Sequence, residues 1–369
     1  MDNVELVNEI DKLLAAMQKN DASDLHLKSG SKPIMRIAGH PHDVGTRTLG
    51  ADDIKLLIKP MLTDRLQAHM EEHGGADLAY SVSGIGRFRV NIFRQRGAVS
   101  IAIRRVNTVI PTIEKLNLPP SVLNFAKKPS GLIVVAGVTG SGKSTTLAAM
   151  IEWINVNERV HIVTVEDPIE YMFRDKKAFI NQREVGIDVD TFPNALRAVL
   201  RQDPDVILCG EMRDWETLQF ALTAAETGHL VFGTLHANTS AQCISRIMDL
   251  FPPDKQDGVR QSLVFNLRGI MCQRLLPSIK QGVDRVPAVE IMFVNSTIQE
   301  LIKDRKELKI SDVIRASAED GMLDFNQCLV TLVKTGYISK KTAMSYTDNP
   351  DQLNMNLKGI FLDQDRSIV

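Results

Sequence analysis

Gly137-Val138-Thr139-Gly140-Ser141-Gly142-Lys143-Ser144-Thr145 fits the pattern G-x-x-x-x-G-K-[ST] at every fixed position. Its flanks agree with it. Leu132-Ile133-Val134-Val135-Ala136 is a short, continuous apolar run, as a buried parallel strand requires, and Thr146-Leu147-Ala148-Ala149-Met150-Ile151 opens a helical pattern. Strand, glycine loop and helix together form a phosphate-binding device: backbone N–H groups converge on phosphate oxygens, and the helix N-terminus adds partial positive charge. The expected cradle is Thr139, Gly140, Ser141, Gly142, Lys143, Ser144 and Thr145. Lys143 would reach the β- and γ-phosphates of a nucleotide, and the Ser144 hydroxyl would sit on Mg²⁺.

Outward from the loop, the chain alternates strand and helix. Apolar strand candidates are Leu132–Ala136, Ile162–Val165, Val206–Cys209, Leu230–Thr234 and Val289–Val294. Helical segments lie between them, such as Trp215–Thr227, which Gly228 would end. The expected fold is α/β with a largely parallel sheet. Open sheets of this kind bind ligands at the carboxyl ends of their strands, and three motifs fall there. In Thr164-Val165-Glu166-Asp167-Pro168-Ile169-Glu170, a carboxylate at Glu166 can orient or deprotonate an attacking water. In Val206-Ile207-Leu208-Cys209-Gly210-Glu211, a buried strand ends in an acid suited to Mg²⁺ and its water, so Glu211 joins Ser144 as a metal-site residue. Asp205 is expected to cap or solvate, and Asp214 to N-cap the next helix. In Thr227-Gly228-His229-Leu230-Val231-Phe232-Gly233-Thr234-Leu235-His236-Ala237-Asn238, two histidines bracket one strand without partners for a metal site. His236 could sense a γ-phosphate or relay movement, whereas His229 suits a structural or interfacial place. Arg197 and Arg201, four apart, would share a helix face and could clamp phosphate, meet a neighbouring subunit or simply be solvated.

The N-terminal part reads differently. Val4, Val7, Ile10, Leu14 and Met17 recur at helical spacing, Ser23–Leu27 and Ile34–Ile37 read as strands, and Ile54, Leu57, Ile58 and Leu62 mark a second helix. A hairpin follows, with Arg87–Phe93 and Val99–Arg104 alternating apolar and polar residues around Gly97. The alternation lets the hairpin present Arg89 and Arg104 on one polar face. Such arginines are either solvated or able to reach a neighbour's nucleotide. Prolines 111, 119, 120 and 129 mark the fading of regular pattern, and an interdomain linker is placed at 107–118, between domains 1–106 and 119–369.

Bulk numbers narrow the class. The 369 residues suit two domains, and 44% hydrophobic content supplies ordinary cores. With 44 basic against 45 acidic residues, a nucleic-acid partner held by a bulk positive field is not expected. No stretch approaches a membrane span, the acidic start Met1-Asp2-Asn3-Val4-Glu5 is unlike a secretion signal, and the four scattered cysteines form no C-x-x-C pair. A cytoplasmic protein with reduced thiols is expected.

At these residues the chain resembles the secretion-ATPase superfamily that drives type IV pili and type II secretion. Gly137–Thr145 resembles its Walker A, Thr164–Glu170 its Asp box, Asp203 through Asp214 its Walker B and Thr227–Asn238 its His box. The similarity is strongest to the PilT and PilU retraction ATPases of twitching motility, supported by Ser23–Leu27, Arg87–Arg89, Asn181–Gly186 and Phe251-Pro252-Pro253. The resemblance implies a PAS-like N-terminal domain, a RecA-like C-terminal domain and a ring-shaped hexamer that binds ATP and Mg²⁺ with each nucleotide near an interface. It implies Glu166 as general base, Glu211 as the Walker B glutamate, and Arg89, Arg104, Arg197 and Arg201 as phosphate-facing arginines. It also implies a cytoplasmic protein at the pilus base, meeting an inner-membrane platform protein and a paralogous retraction ATPase.

Extension and type II secretion ATPases usually carry a longer N-terminal region, and many carry a tetracysteine zinc module. The sequence shows neither, which favours retraction over extension, secretion or a purely regulatory ring subunit. PilT proteins carry an A-I-R signature where this chain reads Asn295-Ser296-Thr297-Ile298-Gln299-Glu300, with glutamine in place of arginine. Gly321–Gln327 resembles the family's helical tail, and the extension through Lys358-Gly359-Ile360-Phe361-Leu362 leans toward a PilU-like accessory motor.

Overall fold

Alternation of burial along the strands builds the first of two compact units. In a computed structural model, which describes residues 3–360 and side chains from residue 9 onward, the first unit runs to Val109 and takes in Glu170–Met172. Helix α1 (Asn3–Lys19) turns Ile10, Leu14 and Met17 inward. The side chains of Val4 and Val7, and residues Phe361 and Leu362, lie outside the described residues. The strands are β1 (Ala22–Lys28), β2 (Ile34–Ile37), β3 (His40–Asp43), β4 (Gly75–Val82), β5 (Gly86–Gln95) and β6 (Ala98–Arg105). They form one antiparallel sheet in the order β3-β2-β1-β6-β5-β4. Phe88, Val90 and Ile92 of β5 and Ile101 and Ile103 of β6 point into its core, each contributing about 1.5–3 kcal/mol by burial. Helices α2 (Ala51–Ile58) and α3 (Asp64–His73) complete the unit. Thr63 caps α3 by accepting from Leu66 N.

The second unit begins at Ile110, and Ile113 and Leu118 are already buried in its core. After the short helix α4 (Leu123–Ala126) come β7 (Gly131–Ala136), α5 (Lys143–Asn157), β8 (His161–Glu166), β9 (Phe179–Glu184), α6 (Phe192–Val199), β10 (Val206–Cys209), α7 (Trp215–Glu226), β11 (Leu230–Leu235), α8 (Ser240–Leu250), α9 (Gln256–Asn266), β12 (Leu267–Pro277), β13 (Arg285–Phe293) and α10 (Ser296–Lys303). The helical tail is α11 (Ile310–Ala316), α12 (Phe325–Lys334), α13 (Lys340–Tyr346) and α14 (Pro350–Leu357). The sheet order is β13-β12-β7-β11-β10-β8-β9. Every pair is parallel except β12–β13. Strands β7, β8, β10 and β11 are buried at every residue, which is why they read as unbroken apolar runs. Val289–Val294 therefore marks an antiparallel edge rather than another parallel strand. Four strands escaped the sequence reading, β3 and β4 in the first unit and edge strand β9 and the long β12 in the second.

One further correction concerns the arginine pair before β10. Helix α6 ends at Val199, so Arg197 lies in its last turn while Arg201 falls beyond it. The chain must turn here, since Asp203 takes φ +54° and the residue before Pro204 disfavours helix. All four cysteines, Cys209, Cys243, Cys272 and Cys328, are free and buried. No helix among the described residues is long and apolar enough to cross a membrane.

Candidate active site

The strand ends gather the chemistry. Strand β7 delivers the loop, and α5 starts at Lys143 with Gly142 before it in the left-handed region. Val138, Thr139 and Gly140 are exposed, Gly142, Lys143, Ser144 and Thr145 half-buried, and Ser141 buried. The Lys143 Nζ donates to the carbonyls of Gly137 at 2.8 Å and Val138 at 3.2 Å, holding the ammonium across the loop.

Glu166 closes β8 and is 9% exposed. One of its oxygens, Oε1, accepts from Thr164 Oγ1 at 2.7 Å and from Gln182 Nε2 at 3.2 Å. Gln182 stands on β9 opposite Thr164, so the sheet register itself supplies the second donor. On sequence alone Gln182 has no role in the site, although it falls within Asn181–Gly186, one of the segments that carry the family resemblance.

Glu211 lies two residues past β10, beside the end of β11. The two ends are stitched together: Thr234 Oγ1 donates to Gly210 O at 2.7 Å, and Met212 N donates to Thr234 O at 3.0 Å. This brings His236 to Glu211, Nε2 to Oε1 at 2.8 Å, while Arg213 Nη2 donates to Oε2 at 2.7 Å. The Arg213 hydrogen bond, outweighing partial burial and aided by His236, holds the Glu211 carboxyl below its ordinary range. It therefore stays ionised. A cavity of about 400 Å³ opens beside Val138 and His236, lined also by Asn238, Gln242, Arg246 and Asp249.

The donors available to a divalent ion are hard oxygens, the Ser144 hydroxyl and the ionised Glu211. That set fits Mg²⁺, which takes few protein ligands beside phosphate and water. No cluster of three or more His, Cys, Asp or Glu that could hold a metal occurs among the described residues.

The structure sorts the remaining expectations. Asp214 Oδ1 caps α7 by accepting from Thr217 N at 2.8 Å. Asp205 ties neighbouring strands, its Oδ2 accepting from His161 N at 2.8 Å. His229 Nδ1 lies 2.9 Å from Ala224 O, a contact with the end of α7. Arg197 and Arg201 are exposed, and neither forms an ion pair among the described residues. In the first unit, Arg89 and Arg104 stand directly opposite each other on β5 and β6, both exposed. Arg104 Nε donates to the buried carboxylate of Asp24 at 2.8 Å. Burial resists ionisation of Asp24, but hydrogen bonds from Arg104 and Ser23 win and hold its carboxyl below the usual value. Where the A-I-R signature would stand, Gln299 Nε2 donates to Val264 O at 2.8 Å and packs α10 on α9.

Residues 2–324 match the family described as Type II/IV secretion system protein. The chain is 40% identical over 343 residues to the type IV pilus retractation ATPase PilT of Pseudomonas aeruginosa, covering 93% of this chain and 99% of that one. It is 37% identical over 350 residues to the type IV pilus ATPase PilU of the same organism, covering 95% and 91%. A crystal structure of the pilus retraction motor PilT with bound ADP superposes with a TM-score of 0.85 at 45% identity, covering 93% of this chain and 98% of that one. A loop, two strand-end glutamates and a histidine in this arrangement, with likeness over nearly the full length, place the chain in the type II/IV secretion system family as a PilT/PilU-type member.

Proposed function

We propose that this chain is an ATP-hydrolysing hexameric motor that retracts type IV pili and so powers twitching motility. The observation that carries the reading is the likeness to PilT over 93% of the chain, combined with an intact loop and both acids. In this reading residues 1–106 form a PAS-like domain, 107–118 the connection and 119–369 a RecA-like ATPase domain. The protein works in the cytoplasm at the pilus base, against an inner-membrane platform protein.

The chain's own groups divide the chemistry. Loop amides and Lys143 bind and orient the β- and γ-phosphates. Glu166, steadied by Thr164 and Gln182, orients the attacking water and takes its proton. Ser144 and Glu211 would hold Mg²⁺, which would supply charge neutralisation for the phosphates. His236, hydrogen-bonded to Glu211, carries the state of the γ-phosphate to the β11–α8 segment. Arg89, Arg104, Arg197 and Arg201 are the phosphate-sensing arginines, and loss of the γ-phosphate releases them to drive movement.

Two measurements test this. Lys143→Ala is expected to abolish ATP hydrolysis, and an unchanged rate would sink the site. Deleting the gene in its host is expected to leave excess surface pili with lost motility; bald cells would make it an extension motor. A PilU-like accessory role is favoured by the sequence itself, in which Gln299 stands where the PilT signature has arginine and the chain extends through Lys358-Gly359-Ile360-Phe361-Leu362, and it predicts normal piliation with motility weakened under load. That role would pair it with a paralogous retraction ATPase, which co-purification would reveal.

A further inference from the structure

We infer that Gln273 is a positioning residue that sets the phosphate loop from behind; the inference rests on the nucleotide reading of that loop. Gln273 belongs to β12, which pairs in parallel with β7 up to Cys272 opposite Ala136. The strand thus carries residue 273 past the point where β7 gives way to the loop. Its side chain is 3% exposed, and both ends of its amide are used. Nε2 donates to the carbonyl of Ser141 at 2.7 Å, and Oε1 accepts from Thr146 Oγ1 at 2.8 Å. Thr146, in the first turn of α5, is 1% exposed.

The consequence follows from peptide geometry. A trans peptide points its carbonyl and its N–H in opposite directions. Drawing the Ser141 carbonyl inward turns the Gly142 N–H outward, the direction in which such loops offer donors to phosphate. The same amide ties the loop's end to the start of the helix, so the donors and the helix dipole share one orientation.

Residue 273 also explains two of the glycines. A Cβ on Gly142, at φ +90°, would lie 2.7 Å from Gln273 Nε2. A Cβ on Gly137 would lie 2.4 Å from the Gln273 carbonyl oxygen. The first and last glycines of the motif therefore both close against this one residue.

The test measures binding of ADP and of tripolyphosphate, which lacks base and sugar, to the full chain by calorimetry. Gln273→Leu removes both hydrogen bonds at similar volume, leaving the Ser141 carbonyl and Thr146 hydroxyl buried without this partner. It is expected to weaken both ligands by at least about tenfold, with the far-UV circular dichroism of the unbound protein retained and its melting temperature lowered by no more than several degrees. Gln273→Glu keeps an acceptor for Thr146 but faces the Ser141 carbonyl with oxygen, so it is expected not to rescue. Thr146→Val combined with Gln273→Leu should cost less than the sum of the two single changes. A folded Gln273→Leu protein with wild-type affinity for tripolyphosphate overturns the inference; should that variant not fold, wild-type affinity in Gln273→Glu does the same. Lys143→Ala serves as the reference. If it too binds as wild type, the nucleotide reading of the loop fails; if it alone loses binding, only the role of Gln273 fails.

Discussion

The acids at the strand ends and the arginines of the antiparallel sheet are held in different ways. Glu166 and Glu211 are gripped by neighbours whose places the sheet dictates: Gln182 by register with Thr164, and His236 by the stitching of β10 to β11. Arg89 and Arg104 stand opposite each other with like charge on an exposed face, where Arg104 leans on Asp24. Like charges directly opposite on a sheet are unfavourable unless something offsets them. Glu166 is held by neutral hydrogen bonds from groups that the sheet register places, which salt hardly touches, whereas Glu211 also leans on the Arg213 guanidinium. The arginine pair is positioned by charge, which salt and pH both weaken. In the proposed motor that division would give firmly held groups to the chemistry and adjustable groups to the sensing of phosphate.

The largest expected effect tests the rigid side. Glu166→Gln should lower the hydrolysis rate by roughly 10²–10⁴-fold while ATP binding persists, measured by steady-state turnover and calorimetry. Turnover within twofold of wild type would remove Glu166 as the base. The intermediate effect tests the charged side. Arg104→Ala should lower turnover by about tenfold, equivalent to about 1.4 kcal/mol of transition-state stabilisation, with little change in ATP affinity. Asp24→Ala should reproduce part of that loss, and the two changes together should cost less than their sum. Simple additivity would mean that Asp24 does not orient Arg104. Because the folded Asp24 carboxyl lies below its unfolded value, the pair's contribution to stability is complete above about pH 4 and is lost as pH falls through the folded value.

The smallest effect concerns Glu290 on β13, whose Oε1 accepts from Ser240 N at the start of α8 at 2.6 Å. Burial raises this carboxyl above its ordinary value, partly offset by the Ser240 hydrogen bonds. A raised value favours the protonated form in the fold, so a stability cost appears as pH rises through that value. Glu290→Gln keeps the acceptor without the charge and should raise Tm by about 2–4 °C at about pH 8, and less near pH 4. A fall in Tm at pH 8 would show that the ionised form is the better cap for α8.

The loop, the apolar strands and the Asp214 cap were legible in the sequence because each is decided within a few neighbouring residues. The antiparallel face of Arg89 and Arg104 was legible for the same reason, since alternation fixes which side a residue takes. Gln273 was not, because it meets Ser141 and Thr146 across 132 and 127 residues of chain, and nothing local marks it. Edge strand β9 hid because Phe179–Glu184 mixes apolar and polar residues on a half-covered surface. Arg201 misled because four-residue spacing implies a shared face only while the helix lasts, and Asp203-Pro204 stops it. His236 could be placed at a strand end from sequence, but its partner Glu211 emerged only once β10 and β11 proved to be neighbours.

The buried thiols give this chain a practical property. Burial pushes Cys209 up to about 12 and Cys328 up to about 11, and Cys272 upward as well. The thiolate is the form that alkylating reagents attack, and at neutral pH these sites hold almost none of it. All four cysteines are also closed to solvent. A maleimide dye should therefore leave the folded wild-type protein dark. A single cysteine introduced at an exposed position would then be labelled alone, so that movements during turnover could be followed optically with the native sequence otherwise intact.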